Sequence, residues 1–450
     1  MFRLNGFVFF LRKRKVNLKI LKLNTLTPSI IETDSQYVWH PFTHLKYAET
    51  PVQIVRGEGA YFYDADGNKL LDAISSWWVN LHGHCHPYIS QKVSEQLHTL
   101  EHAIFSSFTH EPAVKLAERL ISHLPDNQSK IFYSDNGSTA VEVGLKMVLQ
   151  YWHNRGIQKK KFIAFENAYH GDTFGGMSVG ARNVFNNAFE NLLFDVIHIP
   201  LPTADTIEDI KATLEVWFTN HTDIAGFIFE PLVQGAAGML MYEAAHLDEL
   251  IALCRKHGVI CIADEVMTGF GRTGRFFAND HLQHKADIIC LSKGLTGGYM
   301  PLGVTSCAQF IYDACVSDDK TKTFFHGHSY TANPTACAAG LASMDLMEKQ
   351  ETVDQIAMIS SLHKAYCLRH KQNARLTDIR SLGTILALEL NTEEHTHYLN
   401  KASESMAAWF LKRHIIVRPL GNILYLITPY CITKEELEGV YEVMDAFLEE

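Results

Sequence analysis

The sequence predicts an α/β fold built on a large, mostly parallel central sheet, and three observations carry that expectation. Short apolar runs of strand length recur from about residue 130, segments with apolar residues at helical spacing separate them, and polar or glycine-rich clusters follow the runs. Strands covered on both faces read as unbroken apolar runs, and their alternation with helices is the pattern of a parallel sheet wrapped by crossover segments.

In chain order, "KIFYSD" (130–135) is the first run, and after "NGST" the segment Ala140–Trp152 carries helical spacing. That is a strand, a tight turn and a helix. The cycle continues with "KFIAFE" (161–166), "DVIHIP" (195–200), "IAGFIFEP" (224–231), a helical stretch over 244–257, "VICIADE" (259–265) and "DIICLSK" (287–293). At 450 residues the chain exceeds the ~100–200 residues of one ordinary domain, so a large domain with a smaller one attached is expected.

With 47% hydrophobic and 20% charged residues and no repeat or low-complexity tract, the composition is that of a globular protein. A net charge of −10 repels nucleic acid and anionic lipid, so neither is an expected partner. Nine cysteines without a CxxC pair read as thiols in a reducing compartment, which points to the cytoplasm. At the N-terminus "GFVFFLRKRK" sets a short apolar run before a basic cluster. The run is too short to span a membrane, and its charges lie on the wrong side for a secretory signal. Residues 1–30 read as a disordered or artefactual extension, with a peripheral membrane tether as the alternative.

In open sheets of this kind ligands collect beyond the carboxyl ends of the strands. Gly137 and Ser138, Glu230, Asp264 and Lys293 stand there. Each alone reads best as a solvated strand end or a helix cap; together they set an amine, carboxylates and a helix start around one crevice. Lys293 precedes "GLTGG", whose glycines leave space beside an amine that can form a Schiff base. A carboxylate such as Asp264 beside an aromatic nitrogen favours the protonated, cationic ring, and amides at a helix N-terminus hold a phosphate. Those demands describe pyridoxal 5'-phosphate. No GxxxxGK[ST] loop occurs, and no GxGxxG follows the first strand, so nucleotide-dependent readings lose ground.

The stretch "SSWWVNLHGHCHP" (75–87) sets two tryptophans beside three histidines. As an extended run it would place His82, His84 and His86 on one side of a strand, a geometry zinc accepts when a fourth ligand arrives. No paired ligand cluster accompanies them, so packing and backbone hydrogen bonding are the expected jobs and no metal is expected.

The segments "FENAYHGDTFGGMSVG", "IFEPLVQGAAG", "IADEVMTGFGRTGRFFA", "LSKGLTGGYMPLG" and "HGHSYTANPTACAAG" resemble, in order, the signatures of the class III, fold-type I aminotransferases. The resemblance covers residues 37 to about 445. Within the class, "WHPF" (39–42) and "SSWWVNLHGH" resemble the biotin-pathway branch, which transfers an amino group to 7-keto-8-aminopelargonate. The implied fold is a large sheet domain over 81–345 that binds pyridoxal phosphate, with 31–80 and 346–450 forming a smaller α+β domain. The implied roles are Lys293 as the Schiff-base lysine, Asp264 on the pyridine nitrogen, Tyr169 stacked on the ring, Gly137 and Ser138 at the phosphate, and Gln234 near the ring hydroxyl. Ser329, where threonine is usual, would reach the phosphate of a neighbouring subunit in a homodimer. Phe42, where many members have tyrosine, with Trp77, Trp78, Gly327 and Arg418, would line the substrate site. Trp77 is the favoured aromatic wall for the aliphatic chain, and Arg418 in "IIVRPLG" the bidentate partner of a substrate carboxylate.

The resemblance implies ping-pong transamination, with S-adenosylmethionine as donor and lysine as the variant donor of some relatives. Three rivals remain: a class III enzyme acting on an ω-amino acid, a metal-dependent hydrolase built on the histidines and "HGH" (326–328), and a non-catalytic binding protein.

Overall fold

A computed structural model describes residues 29–394 and 396–450. The chain divides into two units, Met1–Gln53 and Ile54–Glu450. In the first, the helix Ile30–Tyr37 starts at a capping box: Ser29 Oγ accepts from Glu32 N at 3.1 Å, and Glu32 Oε2 accepts from Ser29 N at 2.6 Å. Phe42 follows in an exposed turn of this unit at φ 51°. The extension expected over 1–30 lies outside the described residues, Ser29 and Ile30 apart.

The second unit holds β1 (Ile54–Glu58), β2 (Tyr61–Asp64), β3 (Lys69–Asp72), β4 (Gln128–Ser134), β5 (Lys161–Phe165), β6 (Val196–Ile199), β7 (Ile224–Phe229), β8 (Val233–Gln234) and β9 (Leu240–Met241). It continues with β10 (Ile260–Asp264), β11 (Ile288–Leu291), β12 (Gly303–Ala308), β13 (Leu376–Leu382), β14 (Ile385–Leu390), β15 (Ile415–Ile416) and β16 (Ile423–Leu426). Seven of these form the central sheet in the order β4-β12-β11-β10-β7-β5-β6. From β11 to β6 all neighbours are parallel, as the apolar runs predict; β12 is antiparallel to both β4 and β11. Every residue of β7, β10 and β11 is buried, which explains why these strands show no apolar/polar alternation.

Register brings the polar strand ends together. Asp264 pairs with Cys290, and Ala263 with Phe229, so Asp264, Glu230 and the residues after Leu291 emerge side by side. Because β12 is antiparallel to both its neighbours, β4 points the same way as β11, and the helix Gly137–Asn154 opens at the same edge. That helix begins three residues before its apolar spacing does, since Asn136 caps it. Asn136 Oδ1 accepts from Thr139 N at 3.0 Å, and Thr139 Oγ1 accepts from Asn136 N at 3.1 Å.

Three smaller sheets accompany this core, one of them the two-stranded β8-β9. β15 pairs in parallel with β3, extending β1-β2-β3 with a strand from near the C-terminus, and β13, β14 and β16 form an antiparallel sheet. Among the described residues no helix is long and apolar enough to cross a membrane, and all nine cysteines are free.

The stretch from Ser75 departs from the extended run expected of it. Ser75, Ser76, Trp77 and Trp78 have φ of 50°, 50°, 72° and 73°, a left-handed turn in which each non-glycine residue costs about 1–2 kcal/mol. Long-range bonds hold it: Ser75 Oγ donates to Ile427 O at 2.6 Å, and Trp78 Nε1 to Tyr425 Oη at 3.0 Å. The histidines that follow face different partners. His82 Nε2 meets Ser343 Oγ at 3.0 Å, while His84 bonds Asp72 Oδ2 at 2.9 Å and Asn80 Nδ2 at 3.2 Å. Both side chains are buried, as expected, and the His84 backbone also pairs with Gly59, its N–H donating to Gly59 O at 2.7 Å. Among the described residues no group of three or more His, Cys, Asp or Glu could hold a metal ion.

Glu265, fully buried, accepts from Ala278 N, Asn279 N and Asn279 Nδ2 at 2.6–2.8 Å, pinning the loop after β10 to the turn at 278–281. Glu265→Ala strands these donors, and with each buried unsatisfied donor costing ~1–3 kcal/mol the expected loss in chemical denaturation is at least about 3 kcal/mol. Glu265→Gln, which still accepts, loses less.

Candidate active site

At the carboxyl edge of the sheet a cavity of about 670 Å³ is walled by Trp78, Gly137, Ser138, Tyr169, His170, Glu230, Asp264, Thr268 and Lys293, among others. Each comes from a strand end or the loop beyond it. Lys293 follows β11 by two residues at φ 42°, opening a short 3₁₀ turn through Thr296. Its Nζ lies 4.6 Å from the centroid of the Trp78 ring. Burial lowers the amine's pKa below that of free lysine; the charges of Asp264 and Glu230 pull the other way without cancelling it.

Asp264 is held as an acceptor at the end of β10. Its Oδ2 takes a bond from His170 Nδ1 at 2.7 Å, and its Oδ1 one from Val266 N at 3.1 Å. His170 is itself buried, with Nε2 lacking a partner. Glu230, one position past β7, accepts from Tyr169 N at 3.0 Å and Gly235 N at 2.9 Å. Burial pushes its carboxyl up to about 7. The phenol of the mostly buried Tyr169 is raised as well, by burial first and then by Asp172.

Gly137 is the first residue of the capped helix, where a Cβ would lie 2.6 Å from Val266 Cγ1, so only glycine fits without displacing the loop after Asp264. Ser138 Oγ accepts from Asp172 N at 3.3 Å. The helix start thus presents backbone N–H groups and a hydroxyl beside the cavity.

The remaining candidates sit elsewhere. Gln234 is fully buried in β8; its Nε2 donates to Glu166 O at 2.9 Å, and its Oε1 has no partner among the described residues. It is not on the cavity wall. Trp78 is on that wall, whereas Trp77 is not and is 37% exposed. Trp77 and Arg418 come together: the guanidinium stacks 4.2 Å from the ring centroid. Gly327 and Ser329 are exposed in the segment after β12, where Ser329 O accepts from His102 Nε2 at 2.6 Å. Phe42 belongs to the Met1–Gln53 unit.

Sequence reasoning missed His170, Thr268, Arg272 and Tyr425 as parts of this neighbourhood. Thr268 Oγ1 is buried on the wall without a partner. The fully buried Arg272 donates to Thr428 O at 2.9 Å and Asn80 O at 3.0 Å. His170 adjoins Tyr169 in sequence, which could have flagged it; Tyr425 reaches Trp78 from far along the chain, with no local signal.

Comparisons with known proteins agree with this geometry. The sequence matches the family described as Aminotransferase class-III over residues 43–448. It is 45% identical to the adenosylmethionine-8-amino-7-oxononanoate aminotransferase of Synechococcus elongatus, covering 92% of this chain and 99% of that protein. Identity to the Geobacter sulfurreducens enzyme of the same name is 38%, covering 93% and 97%. The crystal structure of the enzyme so named from Methanocaldococcus jannaschii superposes with a TM-score of 0.88 at 34% identity, over 92% of this chain and 97% of that one. An amine transaminase from an uncultivated Pseudomonas species, in a PLP-bound form, gives a TM-score of 0.85 at 30% identity, covering 91% and 98%. The chain belongs to the class III aminotransferases.

Proposed function

We propose that this aminotransferase acts in biotin synthesis, moving the amino group of S-adenosylmethionine to 7-keto-8-aminopelargonate by a ping-pong route to give 7,8-diaminopelargonate. The observation that carries the reading is the meeting of Lys293, Asp264 and the Gly137–Ser138 helix start around one cavity, in a chain up to 45% identical to enzymes named for that acceptor. The cofactor is pyridoxal 5'-phosphate, and the residues fit it. A free amine, an oriented carboxylate, a capped helix start and Thr268 Oγ1, which has no partner among the described residues, together line the cavity with donors and acceptors of the right kinds. When bound, it supplies an aldehyde that exchanges amines and a ring that withdraws electrons from the reacting carbon.

The protein's part is binding, orientation and proton transfer. Lys293 Nζ is the base that takes and returns the proton on the substrate carbon, and its lowered pKa enlarges the neutral fraction available for that work. Asp264, locked by His170 and Val266 N, would hold the ring nitrogen, Gln234 the ring hydroxyl and Tyr169 the face of the ring. Arg418, stacked on Trp77 and so already ordered, takes the acceptor's carboxylate, while Trp77, Trp78 and Gly327 border its aliphatic chain. The enzyme works in the cytoplasm as a homodimer, in which Ser329 of each chain would hold the other's phosphate. Ile104, Phe108, Phe325 and Tyr330, all more than 60% exposed in segments tied by the bonds His102 to Ser329 O and Asn333 to Glu101 O, offer an apolar face for the second copy.

The acceptor is tested by offering 7-keto-8-aminopelargonate to the aminated enzyme beside pyruvate and succinic semialdehyde. The biotin-pathway substrate is expected to turn over fastest, and a wide margin for either small keto acid moves the enzyme to the ω-amino acid reading. Arg418→Ala should weaken the acceptor by about 1.5–3 kcal/mol, the scale of a charge-assisted hydrogen bond, while the bound-cofactor spectrum persists.

Lys293→Ala should fold yet lose the absorption band of the lysine-linked cofactor after dialysis, and survival of that band points to another lysine. Glu230→Gln removes a negative charge that raises the Lys293 pKa. The amine then titrates lower still, and the rising limb of the donor half-reaction's pH profile should move to lower pH in single-turnover measurements.

Co-expression of a Ser329→Trp chain with a Lys293→Ala chain should restore activity through one intact site per mixed dimer. Activity no higher than either parent's would show that Ser329 does not serve a neighbouring site.

A further inference from the structure

The short helix Phe174–Val179 follows the loop that carries Tyr169, and its N-terminus is capped from elsewhere. Thr173 stands at the cap position with a residue type that ordinarily accepts from the first turn, yet its Oγ1 is buried without a partner among the described residues. The first-turn donors go to another helix: Gly175 N and Gly176 N reach Glu142 Oε1 at 2.6 and 3.2 Å. At Gly175 a Cβ would lie 2.3 Å from Glu142 Oε2, so the contact exists only because glycine stands there.

Glu142 is five residues into the helix that begins at Gly137, and it is the middle member of a stripe. Ser138, Glu142 and Lys146 recur at four-residue spacing, which puts them on one face. Ser138 Oγ accepts from Asp172 N, Glu142 takes the two glycine N–H groups, and Lys146 Nζ donates to His326 Nδ1 at 2.8 Å. The loop 169–176 is thereby strung between carboxylates at both ends, Glu230 at Tyr169 N and Glu142 at Gly175 N. Gly171, at φ 106° and with its would-be Cβ 2.0 Å from Ser138 Oγ, lets the loop lie flat on the helix start between those ties.

We propose that Glu142 is a positioning residue for the cofactor: by capping the Phe174–Val179 helix from the phosphate-side helix, it fixes where the Tyr169 ring sits relative to the Gly137–Ser138 turn. The inference rests on the pyridoxal phosphate reading above. Without the carboxylate, the aromatic loop and the phosphate turn are no longer referenced to each other through a charge-assisted bond.

The test is reconstitution of full-length apoprotein with pyridoxal phosphate, read by absorbance titration, by visible circular dichroism of the bound cofactor and by the melting midpoint of the apoprotein. Glu142→Ala is expected to raise the cofactor Kd by at least about tenfold, the scale of one lost charge-assisted hydrogen bond, and to diminish the visible dichroic band, with a much smaller effect on the apoprotein midpoint. Glu142→Gln, whose amide oxygen still accepts both N–H groups, should recover most of the affinity and the band. Should the alanine variant not fold, Gly175→Ala, which drives a methyl group against the same carboxylate, gives the same readout. An alanine variant that binds like wild type, or a glutamine variant as poor as alanine, overturns the inference alone. Wild-type protein that binds no pyridoxal phosphate overturns the functional reading, and this inference with it.

Discussion

A guanidinium shut away from water joins the early and late segments of the Ile54–Glu450 unit. Arg272 is fully buried, and among the described residues no carboxylate sits at ion-pair distance from it. Taking such a charge out of water costs several kcal/mol. The offset comes from the carbonyls of Thr428 and Asn80, a longer approach to Trp78 O at 3.4 Å, and the Tyr430 ring 5.0 Å away. Those carbonyls belong to the left-handed turn that carries the tryptophans and to the segment after β16. One side chain from the loop beyond Asp264 therefore ties the cavity wall, the strained turn and the C-terminal part together. The turn keeps its unfavourable backbone because the bonds around it leave no better alternative.

The central sheet was legible in the sequence because its strands are buried on both faces. Unbroken runs such as "IAGFIF" and "IICL" have no other ready explanation, and the polar residues that end them, Glu230, Asp264 and Lys293, fall at one edge once the strands are parallel. Gly137 and Ser138 were legible for a related reason, since a glycine and a capping residue between a strand and a helix announce a helix start. The turn at Ser75–Trp78 was not, because its left-handed backbone uses no glycine and is imposed by Ile427, Tyr425 and Arg272 from distant positions. Without that turn, local pattern reads the segment as extended and lines up His82, His84 and His86. The foreign cap at Glu142 was equally hidden: four-residue spacing on a helix is common, and nothing local tells which loop its outer face will meet.

The electrostatics of the cavity separate two kinds of acid. Asp264 has a histidine and a backbone amide on it, fixed in direction by strand register, whereas Glu230 takes two backbone donors and burial pushes its carboxyl up to about 7. Both lie close enough to Lys293 to hold its amine higher than burial alone would leave it. The lysine's basicity is thus set by the balance between an apolar wall at Trp78 and two carboxyls on neighbouring strands. Geometry and basicity in this site share one origin, the staggered ends of β7, β10 and β11.

The antiparallel strand β12 has a consequence for synthesis on the ribosome. β4 and the helix it leads into emerge early, but among the described residues β4 has no central-sheet neighbour except β12. At roughly 5–20 residues per second, on the order of ten to thirty seconds separate the two strands during translation. Through that interval β4 presents an unpaired edge, the kind of surface that recruits foreign strands. The strand that leads into the Gly137–Ser138 turn is therefore seated in the sheet only after the lysine strand has been made.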